Sequence, residues 1–264
     1  MGSNLRVDPV VVKIGGSTLG SGDTTLQDLV ELQLQGAPVV VVHGGGPIIN
    51  QWVKNTGVRS RFVRGLRVTD DPTMEVVLAV LAGLVNKRLV AAIQRLGGEA
   101  VGVSGVDGRL IQARVRDPEM GLVGEIVDVR THVVDRILED GFMPIVAPVA
   151  LSEGVDSSEE TAILNVNGDT VAGELAAALK AKCLIFLTDV EGVRDSTGRV
   201  IPRLLSAQAR ALIQGGVASG GMIPKLEACL TALSQVTKTS IVDGRKPRAL
   251  TEYLSGVELG TRVG

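Results

Sequence analysis

Val10-Val11-Val12-Lys13-Ile14-Gly15-Gly16-Ser17 is a β-branched apolar run broken by a single lysine and ended by a pair of glycines. Short runs that are apolar on successive residues, rather than on alternate ones, are strands buried on both faces. Val39-Val40-Val41-Val42-His43-Gly44-Gly45-Gly46-Pro47 repeats the plan with three glycines, and further apolar runs fall at 100–103, 143–149, 183–187 and 239–242. Between them, residues 24–35, 48–56, 72–96, 132–139, 170–181, 206–214 and 224–235 read as helices, all but 48–56 drawing on Ala, Leu and Glu at helical spacing. Strands alternating with helices predict an α/β fold with a mainly parallel central sheet, covered on both faces and joined by right-handed crossovers. In such a sheet ligands bind beyond the carboxyl ends of the strands, which is where these glycines fall.

Composition removes several classes of function. The 264 residues hold 27 Lys+Arg against 29 Asp+Glu, a formal charge of −2, so no basic excess is available for a nucleic-acid backbone. Aromatics are 2%, which leaves few rings for base stacking and gives the core to Val, Leu, Ile and Ala. Cys183, Cys229 and two histidines supply no Cys/His metal cluster. The opening MGSNLRVDP has no apolar targeting segment, and the longest apolar run, 76–85, is ten residues, too short for a bilayer. A cytoplasmic protein without a membrane span is expected.

One helix stands apart. Residues 74–85 are apolar almost all the way round, Asp70-Asp71 can cap the start and Pro72 suits a first turn. A surface helix keeps a polar face, so the outer side of 72–96 is expected to meet a second subunit, with complete burial inside one chain as the alternative.

Chemistry gathers in short motifs. Lys13 delivers a cation to the ligand edge of the sheet, and Gly15 and Gly16 can turn backbone amides toward an anion, although a strand-end lysine reaching solvent over a glycine turn fits the same letters. Gly44-Gly45-Gly46 leaves amides bare at a helix start, an arrangement that favours phosphate or carboxylate, while His43 reads as a packed structural histidine rather than a base. Arg67, in Gly65-Leu66-Arg67-Val68-Thr69, can hold a carboxylate in a bidentate fork or make a surface ion pair. In Asn165-Val166-Asn167-Gly168-Asp169 the alternate residues can converge on one point, or Asp169 can serve as an ordinary helix cap. Thr188-Asp189-Val190-Glu191-Gly192-Val193 ends a strand, and Ser219-Gly220-Gly221-Met222-Ile223-Pro224-Lys225 places a second lysine at a glycine-rich helix start. No GxxxxGK[ST] occurs, and no GxGxxG follows a strand, so phosphate chemistry here needs another scaffold.

Taken together, VVVKIGGSTL, VVVVHGGGPIIN, GLRVTD, LAGLVNKRLV, NVNGDTVAGELA, FLTDVEGV and SGGMIPKLEACLTAL resemble the amino acid kinase family, in order and spacing over nearly the whole chain. The resemblance implies a three-layer α/β/α sandwich. It implies an amino-terminal lobe, residues 1–168, for an acyl amino acid and the dimer helix, and a carboxy-terminal lobe, 169–264, for ATP with Mg²⁺. The branch most resembled implies phosphorylation of the γ-carboxylate of N-acetyl-L-glutamate by a homodimer. Lys13 and Lys225 would then stabilise the transferring phosphoryl group, and Asp169 would position both. Gly15, Gly16, Gly45 and Gly46 would give amides to phosphates and substrate, and Arg67, Asn165 and Asn167 would hold the acyl amino acid. Thr188, Asp189, Val190, Glu191, Gly192, Val193 and Arg194, with Val217, Ala218 and Ser219, would line the nucleotide site; no resident metal is implied.

There are departures from the family pattern. Gly168 stands where alanine is common, Arg64 where asparagine is usual, and the carboxy-terminal Gly244-Arg245-Lys246-Pro247-Arg248 and Gly256-Val257-Glu258-Leu259-Gly260-Thr261 differ from the arginine-inhibited relatives. A dimer insensitive to arginine is therefore expected. Two other readings stay open: a sister kinase acting on carrier-bound α-aminoadipate or glutamate, for which Arg59, Arg61 and Arg64 form a local basic cluster, and a non-catalytic amino-acid sensor on the same fold.

Overall fold

The computed structural model describes residues 8–15, 24–55, 61–63, 66–153 and 163–264. In chain order, β1 (Val10–Ile14), α1 (Thr25–Leu34), β2 (Val39–His43) and α2 (Gly46–Asn55) lead to a small hairpin, β3 (Phe62–Val63) and β4 (Leu66–Arg67). A long helix follows as α3 (Asp71–Leu78), a π-wound segment (Ala79–Val85) and α4 (Asn86–Arg95). Next come β5 (Ala100–Ser104), β6 (Ile111–Val115), β7 (Gly124–Val129), α5 (His132–Glu139), β8 (Met143–Ala147), β9 (Val149–Ser152) and β10 (Ile163–Asn165). The remainder is α6 (Gly168–Ala178), β11 (Cys183–Thr188), β12 (Arg203–Leu204), α7 (Ser206–Gln214), α8 (Met222–Ala232), β13 (Thr239–Asp243), α9 (Ala249–Leu254) and β14 (Thr261–Val263).

Among the described residues the main sheet has eight strands in the order β12-β14-β13-β11-β1-β2-β8-β5. Its pairs are parallel apart from β13 with β14. The valine runs divide their side chains strictly between two cores. Val10, Val12, Ile14, Val39, Val41, Ile185 and Leu187 pack with α1, α2, the long helix and α9. Val11, Val40, Val42, Leu184 and Phe186 pack with α5, α6, α7 and α8. A period of two on a sheet buried both sides thus produces the three-layer α/β/α sandwich, each fully buried branched side chain contributing about 1.5–3 kcal/mol. Strand order reverses at β1, with β2 on one side and β11 on the other, and this switch point opens a crevice beyond the carboxyl ends.

The long helix spans Asp71–Arg95. The Asp70 carboxylate accepts from the Thr73 amide at 3.0 Å and Pro72 sits in the first turn, as the sequence predicts. Its length and apolar composition would suffice for a membrane span, yet Met74, Val77, Val80, Leu81, Val85, Leu89 and Ile93 are buried against the sheet, as in a core helix. Ala79, Gly83 and Ala91 are left exposed on the opposite side.

Two features depart from expectation. The run 143–149 is not one strand: Pro148, which has no amide to donate, separates β8 in the main sheet from β9, which joins a second sheet ordered β10-β9-β6-β7. This second sheet was not anticipated, because Gln112, Arg114, Glu125 and Asp128 interrupt its strands with polar residues. Arg114 and Glu125, paired across β6 and β7 at 2.9 Å, show how those residues serve a solvated face.

Candidate active site

Lys13 belongs to the same face of β1 as Val11, so its stem runs toward α6. Asp169 stands in the first turn of α6, and Lys225 in the first turns of α8, which packs on α6. The three side chains meet. Lys13 Nζ lies 2.7 Å from Asp169 Oδ1 as an ion pair, and Lys225 Nζ donates to Asp169 Oδ2 at 3.0 Å and to the Gly221 carbonyl at 3.3 Å. Burial alone would raise the Asp169 carboxyl, but the charges of Lys13 and Lys225 outweigh it and hold the group below the usual carboxylate range. One carboxylate between two ammoniums leaves a net positive charge.

The triad borders a cavity of about 310 Å³ at the switch point, large enough for a small ligand. Gly45, Gly46, Arg67, Val123, Asn165, Asn167, Thr188 and Asp189 also line it. The starts of α2 and α6 open onto it through Gly46 and Gly168, and Lys225 brings in the start of α8. Helix N-termini carry partial positive charge and unused amides, so the two at α2 and α6, with the Lys225 ammonium beside them, favour an anion.

Arg67 is buried rather than a surface residue. Its β-partner is Phe62, whose ring lies 4.7 Å from the guanidinium carbon, and Nη2 donates to Asn50 Oδ1. Burial lowers its pKa from the ordinary guanidinium value, and a guanidinium keeps its charge in a protein at neutral pH. Asn165 Nδ2 donates to Thr69 Oγ1 at 3.0 Å, and that hydroxyl donates to the Arg67 carbonyl at 2.9 Å, tying Asn165 to the strand that carries Arg67.

Several expectations need correction. The cap of α6 is Asn167, not Asp169: Asn167 Oδ1 accepts from the amides of Asp169 at 2.8 Å and Thr170 at 3.2 Å. This releases the Asp169 carboxylate to the lysines and leaves Asn167 only its Nδ2 for a ligand. The Gly15 amide donates to the Leu187 carbonyl at 3.1 Å, extending the β1–β11 ladder, so it is not turned toward an anion. Gly16, Arg59, Arg64 and most of the loop at 152–160 lie outside the described residues. In the nucleotide segment, Thr188 and Asp189 line the cavity, Val190, Glu191, Arg194, Val217 and Ser219 are exposed beside it in sequence, and Val193 and Ala218 are buried in the core. A Cβ on Gly192 would lie 2.6 Å from Thr261 Oγ1, and that hydroxyl accepts from the Val193 amide at 2.8 Å, which seats the turn on β14.

The reading of His43 as structural agrees with its surroundings. Burial pushes the imidazole down to about 4 from 6.5, the Gly44 carbonyl opposing and the Lys13 charge adding to the shift. A folded pKa below the unfolded one means stability is complete above pH 6.5 and is lost as pH falls from 6.5 toward 4. At 1.36 kcal/mol per unit the loss is about 2 kcal/mol by pH 5. Urea denaturation at pH 7.5 and pH 5 should show the wild type losing about this much more than His43→Asn; equal losses would mean the buried imidazole does not titrate as described.

Sequence reasoning missed Asn50, Phe62 and Asn86. Asn86 had a signal, an amide within an otherwise apolar helix; Asn50 and Phe62 had none.

A model of the amino acid kinase family matches residues 8–243. The chain is 43% identical over 254 residues to a protein of Dehalococcoides mccartyi named acetylglutamate kinase, covering 96% of this chain and 93% of that one. It is 46% identical to the acetylglutamate kinase of Cereibacter sphaeroides, covering 96% and 87%. Among solved structures, smu.665 of Streptococcus mutans superposes with a TM-score of 0.82 at 30% identity, covering 97% of this chain and 98% of that one.

Proposed function

The chain belongs to the amino acid kinase family, and on that premise we propose that it transfers the γ-phosphoryl group of Mg-ATP to the γ-carboxylate of N-acetyl-L-glutamate. The observation that carries this reading is the meeting of Lys13 and Lys225 on Asp169 at one end of a cavity that also holds Arg67. In-line phosphoryl transfer needs positioning and charge stabilisation more than a base, and a carboxylate acceptor has no proton to lose. Arg67, with Asn165 and the Nδ2 of Asn167, orients the acyl amino acid through its remaining carboxylate and acetamido groups. The amides of Gly45 and Gly46, together with the two ammoniums, take up charge on the transferring group. Asp169 keeps the ammoniums together without quenching both.

Residues 1–168 form the acceptor lobe and 169–264 the nucleotide lobe, with Thr188, Asp189 and the turns at 190–194 and 217–219, whose Val190, Glu191, Arg194, Val217 and Ser219 are exposed, beside the phosphates. Magnesium arrives with the nucleotide as part of that substrate. The outer face of the long helix, where Ala79, Gly83 and Ala91 are exposed and Leu78, Ala82, Leu84 and Val90 are half-buried, supports a homodimer; sedimentation as a monomer at micromolar concentration would refute it.

The assignment is tested by ADP release with Mg-ATP and, in parallel, N-acetyl-L-glutamate, glutamate, aspartate, bicarbonate with ammonia, UMP and a carrier-linked α-aminoadipate. Turnover with N-acetyl-L-glutamate alone is expected. Activity only on the carrier-linked acceptor would move the protein to that substrate, and silence with all would favour the sensor. Arg67→Lys, which keeps the charge and loses the planar fork, should raise KM for N-acetyl-L-glutamate about tenfold with kcat much less affected. An unchanged KM would remove Arg67 from acceptor binding.

A further inference from the structure

The long helix reaches the glycine loop through a series of hydrogen bonds in which each proton is placed by the next partner. Asn86 is fully buried where the π-wound segment gives way to α4. The two ends of its amide are told apart by their neighbours. Lys87 Nζ, which can only donate, lies 3.1 Å from Asn86 Oδ1 and 2.9 Å from the Gly102 carbonyl. On the other side, Nδ2 lies 2.8 Å from the Ile145 carbonyl and 3.3 Å from that of Val103. With two hydrogens for three acceptors, Nδ2 gives one to the Ile145 carbonyl and shares the other between the Val103 carbonyl and His43 Nε2, 3.3 Å away; because an amide nitrogen cannot accept, Nε2 does. A neutral imidazole then carries its proton on Nδ1, which donates to the Gly44 carbonyl at 3.1 Å.

The next link is covalent. A planar trans peptide sets its C=O and N–H on opposite sides, so holding the Gly44 carbonyl toward the imidazole turns the Gly45 N–H the other way. Gly45 lines the cavity, and its amide hydrogen-bonds no described protein group. The loop is also seated on the π-wound segment: a Cβ on Gly45 would fall 2.6 Å from Leu81 Cδ2. On the sheet side, a Cβ on Gly102 would fall 1.9 Å from Asn86 Oδ1, so glycine there is what admits the asparagine.

We propose that Lys87, Asn86 and His43 are positioning residues for phosphoryl transfer, locking the Gly44–Gly45 peptide so that the Gly45 amide donates into the cavity. This rests on the kinase reading above. It differs from simple mutual satisfaction of buried polar groups because it requires a donor at the Nδ1 position, not merely a well-packed side chain.

Two measurements test it. His43 and His132 are the only histidines, so ¹⁵N imidazole spectra resolve them readily. At pH 7 His43 is expected as the neutral Nδ1–H tautomer; the Nε2–H tautomer would overturn the proposal. In kinetics, His43→Leu removes the donor, whereas His43→Asn places an amide nitrogen near the former Nδ1. His43→Leu should lower kcat about 10- to 100-fold, at the weaker end of losing one preorganised donor. KM for both substrates should stay within about threefold, and His43→Asn should recover most of kcat. Lys87→Met, which takes the donor from the buried Asn86 Oδ1, should shift His43 toward a mixture of tautomers and lower kcat at matched folded fraction. Equal kcat in His43→Leu and His43→Asn at matched folded fraction would overturn the proposal. A wild type that turns over no acceptor would instead refute the kinase reading, while the tautomer would still report whether the hydrogen-bond series exists.

Discussion

Alanine at Lys13 or at Lys225 is expected to lower kcat by about 10²- to 10³-fold, the range found when one preorganised donor to a developing charge is lost. KM should move much less, because the contact is strongest in the transition state. Neither single variant should unfold the protein. Removing one lysine converts a triad of net positive charge into a neutral pair, since Asp169 keeps the other ammonium at 2.7 or 3.0 Å. Removing both leaves a buried carboxylate alone, so the double variant should lose stability beyond the sum of the singles. Steady-state kinetics with urea midpoints for all three proteins make the test; an unchanged kcat in both single variants would take the lysines out of the reaction.

Asp169→Asn should do the reverse, with a large effect on both stability and rate. The carboxylate is what allows two ammoniums to share one buried corner, and without it they repel. Breaking a buried ion pair by removing one partner costs about 3–5 kcal/mol, and the lower end is expected here because the lysines can turn into the cavity. That movement would itself misplace the charges, so kcat should fall with stability. The pH window differs from that of His43. A carboxyl held below 3.8 contributes in full above that value and loses its contribution as pH falls through its folded pKa, so the cost of Asp169→Asn should be flat from pH 5 to pH 8. A variant as stable and as active as the wild type would contradict the triad.

Much of this was legible in the letters because it depends on local periodicity. Runs such as Val10–Ile14 and Val39–His43, apolar at every step but one, belong only in a sheet buried on both faces, and such a sheet has a switch point where a ligand sits. The start of the long helix was legible for the same reason, since Asp70 and Pro72 act within one turn. What escaped depends on contacts distant in sequence. Nothing around Arg67 reveals that Phe62 and Asn50 enclose it, so a surface ion pair remained open. The choice between Asn167 and Asp169 as the helix cap turns on lysines more than 50 residues away, which make the carboxylate worth more elsewhere. The direction of the Gly15 amide escaped because a glycine after a strand is equally able to continue the ladder, and here Leu187 offers the acceptor while Gly15 itself lines the cavity.

The central claim is that the γ-phosphoryl group moves to an acceptor carboxylate and not to water or to the protein. An acyl phosphate reacts with hydroxylamine to give a hydroxamate, so trapping during turnover with Mg-ATP and N-acetyl-L-glutamate reads the bond that forms. The prediction is one equivalent of the γ-hydroxamate of N-acetyl-L-glutamate for each ADP, dependent on both substrates, with no phosphate retained on the protein. ADP released without hydroxamate, or label from γ-³²P-ATP held on the chain, would contradict it.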